Sequence, residues 1–125
     1  VLVGPAAEEL IFRGMIYRRA ENYFRAGWAV GISSALFGIY HGNVIQFLYA
    51  AVLGILLAVI YEKSRTLLAP VLAHMAVNLW AIYSGDCIRG LSSLTGGAET
   101  IVLIAEAAAA AVCLAVLVRG ERQRA

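Results

Sequence analysis

From Val44 to Tyr61 the chain carries a single strongly polar side chain, Gln46. As a helix this stretch rises roughly 27 Å at ~1.5 Å per residue, close to the ~30 Å hydrocarbon core of a bilayer. Lipid cannot hydrogen-bond a peptide group, so a segment this apolar must satisfy its backbone internally, as a helix does. The composition says that the rest of the chain follows the same rule. Hydrophobic residues make up 62% of the sequence and charged residues 14%, against about 25% charged in average soluble domains. Mean hydropathy is +0.80. The expectation is an all-α, polytopic transmembrane helix bundle.

Five helices can be read along the chain. The first spans about Pro5 to Phe24, with proline near its start, where its missing N–H is tolerated. The second spans about Gly27 to Tyr40 and the third Val44 to Tyr61. The fourth starts near Leu68 and ends near Ser84, and a Gly- and Ser-rich loop is expected from Gly85 to Ala98. The fifth, Glu99 to Val118, is mostly alanine and aliphatic, with Glu106 expected to face the bundle. Small residues recur at four-residue spacing: Gly27, Gly31, Ala35; Ser34, Gly38, Gly42; Ala50, Gly54, Ala58. Ala69, Ala73 and Ala76 make a shorter version on the fourth helix. Such stripes let helix backbones approach closely in lipid, so these are expected to be packing faces.

The basic residues orient the bundle. Arg18, Arg19 and Arg25, then Lys63 and Arg65, then Arg119, Arg122 and Arg124 fall on alternate connections, while the opposite side holds Arg89. By the positive-inside rule the loops with Arg25 and Lys63 are expected to be cytoplasmic, in a prokaryotic cell membrane. The net charge of +2 is no nucleic-acid signal. Cys87 and Cys113 have no metal or redox spacing, and no disulfide is expected between them. The chain opens on Val1-Leu2-Val3, which reads like the tail of an apolar segment, and no signal peptide is visible. One domain, 1–125, is expected, the catalytic core of a larger bundle. Its motifs lie in 4–84, and 85–119 supply an extra loop and transmembrane helix.

Polar residues interrupt these apolar helices at a few places. Glu8, Glu9 and Arg13 sit in the first helix, where Glu9 and Arg13 (i, i+4) share a face and can pair. Glu8 has no counter-ion in its own helix and is expected to share a face with Phe12 and Met15. His41 ends the second helix, and His74 and Asn78 (i, i+4) share a face of the fourth. Measured from the basic boundaries at ~1.5 Å per residue, Glu9 and His74 lie roughly 14 Å deep and His41 and Asn78 about 20 Å. These levels converge near or just past the midplane, where charge is costly and its presence points to function. A carboxylate and a histidine can hold and deprotonate a water. A second histidine and an asparagine can donate hydrogen bonds to a developing oxyanion. The same imidazoles and carboxylate could instead ligate zinc. No G-x-S-x-G nucleophile elbow and no H-E-x-x-H is present.

In order along the chain, E-E-x-x-x-R (Glu8, Glu9, Arg13), F-x-x-x-H (Phe37, His41) and H-x-x-x-N (His74, Asn78) resemble the CAAX prenyl protease and bacteriocin-processing (CPBP, or Abi) family of intramembrane proteases. The resemblance covers about Gly4 to Ser84. It implies an intramembrane endopeptidase that cuts near the C-terminus of a membrane-associated protein or peptide, prenylated in eukaryotic CAAX substrates. It implies Glu8 as catalytic base acting with His41, His74 and Asn78 as the oxyanion hole, and Glu9, Arg13 and Phe37 in support. The expected mechanism uses no cofactor. The alternatives are a zinc endopeptidase with Glu8, His41 and His74 as ligands, and a non-enzymatic membrane immunity protein. Expected partners are membrane lipid and the peptide substrate, with no nucleic acid.

Overall fold

The computed structural model describes residues 3–95, and side chains for residues 3–85. Every regular element in this range is helical. α1 (Val3–Glu9) continues without a break into a π-helical segment (Leu10–Tyr17) and then α2 (Arg18–Glu21). α3 (Ala26–Tyr40), α4 (Val44–Ser64) and α5 (Leu68–Thr95) follow. α4, and α5 over Leu68–Gly85, are long and apolar enough to cross a bilayer, with mean hydropathies of 2.4 and 1.2. The described residues divide after Leu79 into two units. The residues singled out by the sequence motifs all lie in the first.

Local chemistry explains the helix ends. Gly42 takes φ +70 just after α3, a left-handed conformation that glycine adopts without steric cost. Asn43 then opens α4, its side-chain oxygen accepting the Ile45 N–H at 2.9 Å. α4 closes at Arg65, also left-handed (φ 54), whose N–H reaches the Tyr61 carbonyl at 2.8 Å. Arg65 binds the carboxylates of Glu21 and Glu62, each at 2.6 Å. Thr66 starts α5 by accepting the Leu68 N–H at 3.1 Å.

α3 and α4 pack closely through two of the three expected stripes. A Cβ on Gly54 would lie 3.0 Å from Ser34 Cα, and one on Gly38 would lie 2.8 Å from the Phe47 ring. Ala50, Gly54 and Ala58 are buried against Ser34, Phe37 and Gly38 of α3 or among the core aromatics. The third stripe differs from expectation. Gly27, Gly31 and Ala35 are exposed, and a Cβ on either glycine would meet nothing within 4 Å. Four-residue spacing says that a face is smooth, and not which neighbour covers it.

Two further expectations are corrected. Residues 85–95, read as the start of a loop, continue α5, so Cys87 and Arg89 are helical. Gly85 and Gly90 each cost only ~1 kcal/mol relative to alanine, and no proline stands between them to break the helix. The expected fifth helix, Glu99–Val118, lies outside the described residues. Within the first helix, Phe12 is 5% exposed and Met15 64%, so they do not share a face with Glu8. The π-helical segment is the cause. In a regular α-helix, residues four apart drift by ~40° per step. The wider π turn, with i→i+5 bonds, takes up that drift. Pro5, Glu9, Arg13 and Tyr17, each four apart, are therefore all buried on one side.

Candidate active site

The buried side of the first helix presents a carboxylate and a guanidinium to its neighbours. Glu9 and Arg13 are both 0% exposed, and Arg13 Nη1 donates to Glu9 Oε1 at 2.8 Å. This is the pair that the i, i+4 spacing predicts. The rest of the arrangement comes from other helices. Arg13 Nη2 donates to the Gly54 carbonyl of α4 at 2.8 Å, and the guanidinium carbon lies 4.8 Å from the centre of the Phe37 ring on α3. From α5, His74 Nδ1 meets the same Glu9 Oε1 at 2.8 Å. A carboxylate oxygen only accepts, so Nδ1 carries the proton and donates. Glu9 thus takes two charge-assisted or near-charged bonds on one oxygen, which fixes the His74 ring.

That bond aims the other ring nitrogen. His74 Nε2 lies 3.7 Å from Glu8 Oε2, too long for a hydrogen bond but close enough for charge attraction. Glu8 has 24% of its side chain accessible, whereas Glu9 has none. The two adjacent carboxylates therefore differ in kind. Glu9 is enclosed and occupied, and Glu8 can be reached by water or by a substrate.

His41 occupies the residue after α3. Its Nδ1 donates to the Phe37 carbonyl one turn back at 2.8 Å, satisfying one of the carbonyls that a helix end leaves open. With Nδ1 committed, Nε2 is the nitrogen that a neutral His41 has available as acceptor. Both imidazoles pack edge-on against Phe37, at 4.8 Å for His41 and 5.6 Å for His74. The Phe37 ring, fully buried, also stacks edge-to-face with Phe12 at 5.1 Å. One phenyl ring thus spaces the two histidines and carries the arginine.

The structure gathers Glu8, Glu9, Arg13, Phe37 and His74 into one connected cluster and joins His41 to it through Phe37. His41 makes neither an ion pair nor a hydrogen bond with Glu8 among the described residues. Asn78, half-buried one turn beyond His74, likewise makes no hydrogen bond there. Among the described residues no three His, Cys, Asp or Glu side chains are grouped closely enough to hold a metal ion. The set Glu8, His41 and His74 therefore does not fit a zinc site in this arrangement. Gly54, expected only as part of a packing face, also supplies the carbonyl for Arg13. Ser33 of α3, which sequence reasoning passed over, is fully buried and donates its hydroxyl to the Phe12 carbonyl at 2.9 Å. A serine in the middle of an apolar helix was the available signal for it.

Residues 1–80 match the family described as Type II CAAX prenyl endopeptidase Rce1-like. The chain belongs to that family. It is also 34% identical over 85 residues to a Bacillus subtilis (strain 168) protein named "Putative membrane peptidase YdiL", an alignment covering 65% of this chain and 33% of that relative. The chain thus spans about a third of that relative's length. No solved structure matches. The matched range includes Glu8, Glu9, Arg13, Phe37, His41, His74 and Asn78, and ends before the part of α5 that sequence reading had taken for a loop.

Proposed function

We propose that this chain carries the catalytic residues of an intramembrane CAAX-type endopeptidase that hydrolyses a peptide bond near the C-terminus of a membrane-associated, prenylated protein or peptide. The observation that supports it best is the inequality of the two adjacent carboxylates. Glu9 is sealed between Arg13 and His74, while Glu8 stands accessible beside His74 Nε2. In this reading Glu8 takes a proton from water, and His41 Nε2 accepts the water's second hydrogen as a hydrogen bond. The hydroxide attacks the scissile carbonyl carbon. The oxygen that becomes negative is met by the Asn78 amide and by His74 Nε2–H. With Nδ1 donating to Glu9, His74 has an Nε2 proton to offer only as the imidazolium. The C–N bond then breaks as Glu8 returns its proton to the leaving amine. Glu9 and Arg13 hold the His74 ring, and no metal enters the sequence of steps.

The same reading sets the chain across the membrane several times, with Arg25 and Lys63 on the cytoplasmic side. Exposed Tyr23, Phe24 and Trp28 next to Arg19 and Arg25 suit an aqueous-lipid boundary. The test uses the full-length protein in lipid nanodiscs with a farnesylated CAAX peptide, with and without a strong chelator. Release of the C-terminal tripeptide at the same rate in both is expected. No release, or release that stops on chelation and returns with zinc, would overturn the metal-free mechanism.

A further inference from the structure

π-helical geometry is ordinarily outcompeted by the α form and occurs mostly as short insertions. A segment of eight residues, Leu10–Tyr17, thus needs holding from outside. Three contacts do so. Arg13 reaches Gly54 and Tyr17 reaches Glu62, both on α4, and both act through long side chains. The third is different in kind. Ser33 of α3 donates to the Phe12 carbonyl, gripping the backbone of the segment itself. A carbonyl has two lone pairs, so this bond can add to a helical one. Phe12 lies between Glu9 and Arg13 on the side that faces Phe37.

We infer that Ser33 is a positioning residue of the candidate site, holding the segment in its π form so that Glu9 faces Arg13 and His74 together and Glu8 is left facing His74 Nε2. Without the serine hydroxyl the segment relaxes toward α geometry. Arg13 and Tyr17 remain tied to α4, so the turn carrying Glu8 and Glu9 rotates against them. The Glu9–His74 bond lengthens and the Glu8 carboxylate leaves its place. The inference rests on the proposed function only for its kinetic consequence. The neighbouring Ser34 provides a control within the same helix. It is also buried, at 2% exposure, but its hydroxyl has no hydrogen-bond partner.

The experiment compares Ser33→Ala, Ser33→Thr and Ser34→Ala with the wild type in full-length protein in nanodiscs. Hydrogen exchange of the Gly14–Arg18 amides reads the segment, and the nitrogen-15 resonance of His74 Nδ1 reads its bond to Glu9. Ser33→Ala is expected to speed that exchange about ten-fold and to shift the Nδ1 resonance. Threonine should restore both, and Ser34→Ala should match the wild type. With the farnesylated peptide, kcat of Ser33→Ala should fall by ~10–10² with KM unchanged, as small displacements of catalytic groups do. Unchanged exchange, an unchanged Nδ1 resonance, or the same losses from Ser34→Ala would overturn the inference. If the wild type fails to cleave the peptide, the proposed function falls, and the exchange and resonance readings still decide the role of Ser33.

Discussion

Gly54→Ala tests whether the α3–α4 contact is as tight as the structure shows and whether it supports the buried charge network. The added Cβ would stand 3.0 Å from Ser34 Cα, 3.1 Å from Ser34 Cβ and 3.4 Å from Phe37 Cδ1. The first obstacle is backbone, so no side-chain rotation relieves it and the two helices must part by a few tenths of an ångström. Overpacking of this kind costs ~1–3 kcal/mol. Moving Gly54 also lengthens the bond from Arg13 to its carbonyl, and interhelical polar contacts in bilayers average ~0.6 kcal/mol with a maximum of ~1.7. Alanine's better helix propensity returns ~1 kcal/mol. With mid-range values the net loss is about 2 kcal/mol. The assay is reversible unfolding in mixed micelles titrated with a denaturing detergent. Gly31→Ala is the control, because its Cβ would meet nothing within 4 Å, so it should show only the ~1 kcal/mol gain from alanine's helix propensity. Equal stability of the two variants would refute the close approach and the role given to the Gly54 carbonyl.

The same unfolding assay should find Glu9→Gln destabilised by ~3–5 kcal/mol, because Arg13 is left buried without its counter-charge. Asn78→Ala should lower kcat on the farnesylated peptide by ~10²–10³ with KM little changed, the signature of a donor that acts on transition-state charge; normal turnover would remove it from the mechanism. Arg65→Gly should leave the melting temperature nearly unchanged in moderate salt: glycine suits φ 54, while the lost ion pairs to Glu21 and Glu62 are exposed. Those two carboxylates raise the Arg65 pKa further above its already high value. The guanidinium therefore stays charged as pH rises, so on the alkaline side of neutrality its ion pairs weaken with salt rather than with pH, which melting curves at two ionic strengths and two pH values, neutral and mildly alkaline, can check.

Spacing along the sequence made some of this site readable and hid the rest. Glu9 and Arg13 pair as their i, i+4 separation requires, since that contact is local to one helix. α3 and α4 fall close to their expected bounds because apolar length marks them directly, and α5 starts where expected but ends well beyond Ser84. The bond from His74 to Glu9 was not readable, because it joins residues 65 apart through packing. Depth placed Glu9 and His74 at one level but could not say which nitrogen meets which oxygen. The π-helical segment was hidden for another reason. Its i→i+5 pattern leaves no composition signal, so the face shared by Glu8, Phe12 and Met15 was drawn for an α-helix and failed. The Gly- and Ser-rich loop reading failed over residues 85–95 because glycine weakens a helix without ending it.

The central claim is that Glu8, and not its enclosed neighbour, activates the water. The direct measurement is the steady-state rate of Glu8→Gln on the farnesylated peptide, in the full-length protein, beside the nitrogen-15 resonance of His74 Nδ1. Loss of a positioned base should cut kcat by at least ~10²–10⁴. Because Glu8 makes no hydrogen bond within the buried network, His74 Nδ1 should keep its proton and its bond to Glu9, and the protein should unfold as the wild type does. Cleavage by Glu8→Gln at the wild-type rate would contradict the account.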